Sequence, residues 1–471
     1  MDELPSGKPL GKSILQHIAK ARKVKEALTI GGPERSLLER IASPKNLEIA
    51  LRQVCRNQGA AGVDGMTTDE ALKAGLLLLK ALRSDLLSGS YRPGEIRRVE
   101  IPKAGGGTRN LGIPNVLARW VQQAVHQVLA PIFEPQFHQS SHGFRPKRGA
   151  ETAIAEAKSH LTEGCSWVVG IDLSQFFDRV NHQRLLARLA KSVPDKGVLK
   201  LIHQMLKAKV ILPNGVELNV EEGTPQGGPL SPLLSNIVLD ELDWELERRK
   251  LRFVRYADDF NVYVQSERAG LRVMASLSGF IEKRLRLKVN TDKSEVAPPE
   301  RVHLLGFSLK ESEGGQIDVR LSKRSLERMR VRIRELTPRN WGNRLDACFE
   351  KLNTYLKGWS GYFKLCTAEC ERHLKNFDAH IRRRIRVVIV KQKKKGRFLY
   401  RHLVARGVRN KTAAKTAFGN HGPWKASNLP GMTQAYRNHW FSGKLMSLWG
   451  EWSRLNRPQP MVTTTQLTLA V

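Results

Sequence analysis

The sequence predicts an α+β fold followed by a helical, strongly basic C-terminal half, and three features carry that prediction. Runs rich in β-branched and aromatic residues at 166–171 and 251–265 read as strands, the first closed and the second interrupted by aspartate. Stretches with apolar residues at helical spacing stand around them, at 46–58, 120–132 and 233–249. From Leu321 onward the strand signals give way to arginine-rich helical patterns, at 323–335 and 345–364.

Composition narrows the class of partner. The 471 residues include 79 Lys+Arg against 45 Asp+Glu, a formal charge of +34. Such a surplus repels itself in a compact fold, so a polyanion is expected to neutralise it, and nucleic acid is the natural one. Hydrophobic residues make up 41%, enough for real cores, and the length suggests two to four domains. Five scattered cysteines point to free thiols in a reducing compartment. No apolar run reaches the roughly 18 residues of a membrane span, and the Met1-Asp2-Glu3 start lacks a signal-peptide core. A cytoplasmic bacterial protein without a membrane partner is the simplest expectation.

The chemistry centres on the stretch LRFVRYADDFNVYVQ, residues 251–265. Strand formers flank Ala257-Asp258-Asp259, which reads as a β-hairpin with adjacent carboxylates at its tip. Neighbouring acids repel unless a cation sits between them, and a hard divalent ion such as Mg²⁺ suits oxygen ligands. Asp-Asp is also ordinary turn chemistry, so a second acid has to decide. Asp172 is that acid: it ends the apolar run 166–171, where desolvation is costly unless something is bound. The following segment leads into a helix with Leu185, Leu186 and Leu189 on one face. If the two strands are neighbours, the acids meet, and two metal ions about 3.5–4 Å apart would clamp the attacking and leaving oxygens of a phosphoryl transfer.

Other segments carry their own signals. After the 46–58 helix, residues 60–65 form a turn-rich loop in which Asp64 is read as a turn residue. Two extended segments, 99–103 and 108–114, enclose a glycine-rich loop flanked by Lys103 and Arg109. These cations could grip a triphosphate, or be only a solvated basic hairpin. Phe144 and Arg145, within SHGFRPKR at 141–148, set an aromatic among cations before a helix, as a template path would need. The loop EGTPQGGPLSP at 222–232 is rich in breakers, with Ser231 and Pro232 as N-cap and first helical residue. In the C-terminal half, Arg382, Arg383, Arg384 and Arg386, then Lys393, Lys394 and Lys395, form a basic surface opposite an Ile381, Ile385, Val388 face. That surface suits the phosphates of structured RNA. Cys366, Cys370 and His373 stand at helical spacing without the Cys pair that would complete a zinc set.

The YADD tetrad at 256–259, with Asp172 and the Phe177 five residues after it, resembles a reverse transcriptase palm. The blocks at 60–65, 99–114, 141–148, 222–232, 287–294 and 304–308 follow in the order found in group II intron reverse transcriptases. LNTYLKGWSGYF at 352–363 is similar to the thumb, or X domain, of their maturases. The resemblance covers about nine-tenths of the chain. It implies a right-hand polymerase, with fingers and an antiparallel palm sheet followed by an α-helical thumb/X maturase domain. It also implies that Asp172, Asp258 and Asp259, with the backbone at Leu173, hold two Mg²⁺ ions. Asp172 and Asp258 are the firmer pair, because strand alternation sends neighbouring side chains to opposite faces.

The nucleotide would meet Lys103, Arg109, Phe177, Gln226 and Lys293, with the Phe177 ring excluding a 2′-hydroxyl by shape. Phe144, Arg145, Tyr256 and Gly306 would line the template and primer. His142 stands where the family often has an aromatic residue. The implied partners are group II intron RNA, a DNA target, and an RNA template with DNA primer and dNTPs, placing the protein in a nucleoid-associated ribonucleoprotein. Expected divisions are an N-terminal helical extension to 90, fingers and palm over 91–315, and thumb/X over 316–400. A basic, DNA-binding region at 401–458 and a disordered tail at 459–471 complete them. The endonuclease-bearing relatives carry a His/Asn domain flanked by Cys pairs, a pattern that Asn420-His421 and Asn438-His439 do not make. Competing expectations are an RNA-binding splicing cofactor with incidental polymerase activity, and a domesticated or defence-associated reverse transcriptase.

Overall fold

The structure is a computed structural model that describes residues 36–102, 108–342 and 344–456. Lys103, the first 35 residues of the expected N-terminal extension and the C-terminal tail lie outside the described residues. The chain divides into two compact units, residues 1–302 and 303–471.

In the first unit, helix Pro44–Arg56 turns Leu47, Ala50, Leu51 and Val54 inward, the apolar spacing that predicted it. It packs against helix Val116–Phe133, and the Trp120 indole N–H donates to the Leu47 carbonyl at 2.6 Å. Asp64 accepts a hydrogen bond from the Met66 N–H, which is turn chemistry as expected. Strands β1 (Ile96–Pro102) and β2 (Thr108–Pro114) form an antiparallel hairpin running from Ile96↔Pro114 to Pro102↔Thr108. Strand β3 (Trp167–Ile171) follows helix Ala150–Thr162. The short strands β4 (Val210–Ile211) and β5 (Glu217–Leu218) extend the first hairpin into a sheet ordered β2-β1-β4-β5. Strands β6 (Arg252–Tyr256), β7 (Asp259–Val264) and β8 (Glu295–Ala297) join β3 in a second sheet ordered β6-β7-β3-β8.

Alternation along this second sheet explains its two faces. Val169, Ile171, Phe253, Phe260, Val262 and Val264 point into one core with helix Ser231–Arg248. That helix departs from expectation at its start. Leu230 occupies the cap position, while the Ser231 hydroxyl donates to the Pro225 carbonyl and ties the preceding loop instead.

In the second unit, β9 (Phe307–Glu311) and β10 (Ile317–Leu321) form a hairpin followed by helices Lys323–Leu336, Leu345–Phe363 and Glu371–Gln392. Ile381, Ile385 and Val388 are fully buried along one face of the last, as their spacing requires. Asp378 on the same helix caps helix Leu448–Leu455, accepting from Leu448 N–H at 2.8 Å and Trp449 N–H at 3.2 Å. Among the described residues no helix is long and apolar enough to cross a membrane. All five cysteines are free.

Candidate active site

Strand β3 lies between β7 and β8, and its register with β7 runs from Trp167↔Val264 to Ile171↔Phe260. One step further, Asp172 comes opposite Asp259 at the mouth of the β6–β7 turn. The turn has two residues, Ala257 and Asp258, between the paired Tyr256 and Asp259. Ala257 has φ +58°, the left-handed conformation that such a hairpin demands at its first central position. Beyond β3 the chain stays pinned: the Asp172 N–H donates to the Ser294 hydroxyl, the Asn290 N–H to the Asp172 carbonyl, and the Ser174 N–H to the Lys288 carbonyl. This pairing leaves the Leu173 carbonyl out of the ladder. Lys293, on the same 290–294 turn, is exposed.

Asp172 and Asp258 come together. Burial raises the Asp258 carboxyl above its ordinary range and the Asp172 charge adds to that. The Asp258 backbone N–H, Arg109 and Arg255 pull the other way. The Asp259 charge is also felt by the buried Tyr263 phenol on its own face of the strand, where it adds to the upward push of burial. Of the three expected carboxylates, the structure brings Asp172 to Asp258 and sets Asp259 at the end of β7, opposite the end of β3. Tyr256 sits half-buried at the end of β6.

The first sheet delivers the neighbouring groups. Arg109 on β2 donates through Nε to the Gln226 side-chain carbonyl at 2.8 Å, and the Gly112 N–H donates to the Gln226 main-chain carbonyl at 2.8 Å. A Cβ on Gly227 would lie 2.6 Å from the Gly112 carbonyl oxygen, so glycine there allows the loop to dock on β2. The loop is tied on its other side to Phe177, whose carbonyl accepts from the Thr224 N–H at 2.6 Å. Phe176 and Phe177 are both buried and meet edge to face at 5.2 Å. Arg109, Gln226, Phe177, Asp172 and Asp258 thus belong to one constellation.

Other expected contacts are placed differently. Arg145 is buried and spends its guanidinium on the Glu134 carboxylate and the carbonyls of His138 and Ser141, so it is not offered to a template. His142 is likewise internal, bonded to Thr152 and Glu156. Burial alone would raise the Glu156 carboxyl, but hydrogen bonds from His142, His160 and Ser140 outweigh it and hold it at about 2. Phe144 is the exception in that segment, 53% exposed with φ +60°. Gly306 belongs to the second unit, with φ +93° and its carbonyl held by Ser325.

Two members of the expected RNA surface are also internal. Arg384 bonds Thr337 and the Arg334 carbonyl, and Arg386 bonds the Tyr436 carbonyl. The chain segments that cover the helix there have carbonyls needing donors, which the sequence pattern alone does not reveal. Arg383 stacks on Trp424 at 4.0 Å, Arg382 is partly exposed, and Lys394 and Lys395 are exposed, with Lys393 partly so.

The donor set fits a hard divalent cation. Two carboxylates converge with their nearest cations already engaged, Arg109 with Gln226 and Arg255 with Asp243. No cluster of three or more His, Cys, Asp or Glu side chains forms a metal cage among the described residues. Magnesium is typically held by one or two carboxylates, with substrate phosphates and water supplying the rest.

Comparisons with known proteins identify the family. Residues 101–309 match the family described as reverse transcriptase (RNA-dependent DNA polymerase), and residues 326–407 match the group II intron maturase-specific domain. Protein YkfC of Escherichia coli (strain K12) is 36% identical over 302 residues, covering 55% of this chain and 78% of that protein. The putative COX1/OXI3 intron 2 protein of Saccharomyces cerevisiae is 27% identical over 356 residues, 63% of this chain and 41% of that one. Group II intron-encoded protein LtrA of Lactococcus lactis subsp. cremoris is 36% identical over 208 residues, 44% of this chain and 34% of that one. Among solved structures, the partial Cas6-RT-Cas1--Cas2 complex aligns over 53% of this chain and 43% of its own, at 24% identity and a TM-score of 0.35. The chain belongs to the group II intron-encoded reverse transcriptase and maturase family.

Proposed function

We propose that this reverse transcriptase extends a DNA primer on its intron RNA, using Asp172 and Asp258 as the carboxylates that hold divalent metal. The convergence of these two acids beside the Arg109–Gln226 pair is the observation that carries the reading. In this reading the first unit supplies fingers and palm, and the helices of the second supply thumb and maturase surface. Paired Mg²⁺, when bound, would activate the primer 3′-hydroxyl and stabilise the departing pyrophosphate oxygen. The chain's own groups do the rest. Arg109 sits where it can neutralise triphosphate oxygens, with its Nε fixed by Gln226 and other N–H groups left to reach outward. Lys103 and Lys293 add charge to the same end of the nucleotide. Asp259, opposite the end of β3 that carries Asp172, is the third carboxylate of the site in this reading.

Phe177 serves as the sugar gate. Its carbonyl is bonded to the Thr224 N–H, which ties its backbone to the Gln226 loop, and its ring is buried against Phe176. Phe177→Ala is expected to raise ribonucleotide incorporation on the order of 10- to 100-fold relative to deoxynucleotide. Phe176→Ala is expected to lower stability without that change. Competing rNTP and dNTP in a primer-extension assay on an RNA template measures both, and unchanged selectivity in the Phe177 variant would reject the gate.

The second unit contributes the RNA-binding surface through which splicing is assisted and the intron is retained for insertion into a DNA target. Arg382 and Arg383 border a cleft with Trp424, Asn428 and Asn438, and Lys393, Lys394 and Lys395 follow on the same chain segment. Neutralising Lys394 and Lys395 together should make the dependence of log affinity for intron RNA on log salt shallower by about 1.5. Arg384→Gln should instead lower the melting temperature, because its guanidinium serves Thr337. A salt titration of the variants, paired with a splicing assay at low Mg²⁺, separates the two classes of arginine.

A further inference from the structure

The turn that carries Asp258 does not support itself. Ala257 holds a left-handed φ at a cost of about 1 kcal/mol, and the Asp258 carboxylate faces the like charge of Asp172. What opposes both is a fully buried cluster beneath the turn. Arg255 forms a bidentate pair with Asp243, Nε to Oδ1 at 2.7 Å and Nη2 to Oδ2 at 2.6 Å. Its Nη1 donates at 2.9 Å to both the Asn236 side-chain oxygen and the Ala257 carbonyl of the turn.

Asn236 in turn donates through Nδ2 to the Gly143 carbonyl at 2.9 Å. Gly143 lies flat on the turn, since a Cβ there would sit 2.3 Å from the Ala257 nitrogen and 3.0 Å from the Tyr256 carbonyl carbon. The segment before it pairs with β6 like an extra strand. The Arg255 N–H donates to the Ser140 carbonyl at 2.9 Å, and the His142 N–H to the Arg255 carbonyl at 2.8 Å. Arg145 and the Glu156–His142 contact anchor that segment to the helices on its far side.

We propose that Arg255, Asp243, Asn236 and Gly143 are positioning residues that set the Asp258 turn in its working conformation before metal or substrate arrives. The 140–145 segment, on this account, is a splint for the turn, with only Phe144 turned outward. Arg255 is paired with Asp243, and besides the pull of its charge on the Asp258 carboxyl it holds the turn directly through the Ala257 carbonyl. A fixed carboxylate position matters because displacements near 1 Å at a reacting centre cost about 100-fold in rate. The proposal rests on Asp258 being a working carboxylate of the polymerase.

The test uses the full chain with three substitutions. Gly143→Ala wedges a methyl group against the Ala257 nitrogen. Asn236→Asp keeps an acceptor for Arg255 but faces the Gly143 carbonyl with an oxygen. Gly149→Ala is the control, because nothing lies within 4 Å of its Cβ position. The first two should lower kcat about 10- to 100-fold with primer–template Kd unchanged, and should weaken Mn²⁺ binding followed by electron paramagnetic resonance. Gly149→Ala should match the parent in all three readouts. Wild-type kcat and Mn²⁺ affinity in both Gly143→Ala and Asn236→Asp would overturn the proposal, as would a loss of kcat that disappears at a temperature where the variants are fully folded. If Asp258→Asn itself retains synthesis, the assignment of the site fails. If Asp258→Asn is inactive while the two brace variants turn over normally, only the splint is rejected.

Discussion

Asp258→Asn is expected to reduce RNA-templated DNA synthesis on the order of 10³-fold or more, about 4 kcal/mol of lost barrier lowering, while leaving affinity for intron RNA intact. The substitution is nearly isosteric and removes only the charge. Asp258 is half-buried beside Asp172, so its ionised form is held at a cost in the free protein. Removing that charge relieves the repulsion, and the melting temperature measured with a chelator present should therefore be no lower than that of the parent. Lost activity with undiminished stability is the signature of a group placed for chemistry rather than for the fold. Asp172→Asn should behave in the same way, and the double variant should be little worse than either alone, because groups that act as one unit lose their function together. Primer extension, filter binding and thermal melting on the same preparations decide it. Synthesis retained in Asp258→Asn would remove the basis of the assignment.

The elements that build this site were legible where alternation and helical spacing were strong. The run ending in Asp172 and the two strands around Ala257-Asp258 appear within a residue or two of where the pattern put them. Their adjacency was not written locally. It comes from burying Val169 and Ile171 against Val262 and Phe260 across a separation of some 90 residues, a tertiary choice. Charge was the poorer guide. A cation in sequence reads as a cation offered to a ligand, yet Arg145, Arg384 and Arg386 each find carbonyl partners inside the protein. Arg255, Asp243 and Asn236 went unread as partners of the site, although a signal existed. Arg255 lies in a strand whose neighbours are apolar, and Asp243 follows Leu242 on the buried side of its helix. A charge in such a place needs a partner of opposite sign, and finding one acid and one cation so placed invites pairing them.

Asp243→Ala is expected to destabilise the first unit by about 3–5 kcal/mol, because it leaves the fully buried Arg255 without its counter-charge. The loss should appear as a lowered urea midpoint at unchanged slope. Replacing both partners, as Arg255→Met with Asp243→Leu, removes the orphaned charge and should recover much of that loss, since buried pairs are often no more stable than apolar groups of similar size. Recovery should stop short of the parent, because the Ala257 carbonyl and the Asn236 side chain then each lack the donor that Arg255 supplied. Activity should not return with stability in the double variant, for nothing apolar can hold the Ala257 carbonyl. Stability restored together with full synthesis would show the ion pair to be ordinary core. Stability restored without synthesis would separate what the pair does for the fold from what it does for the turn.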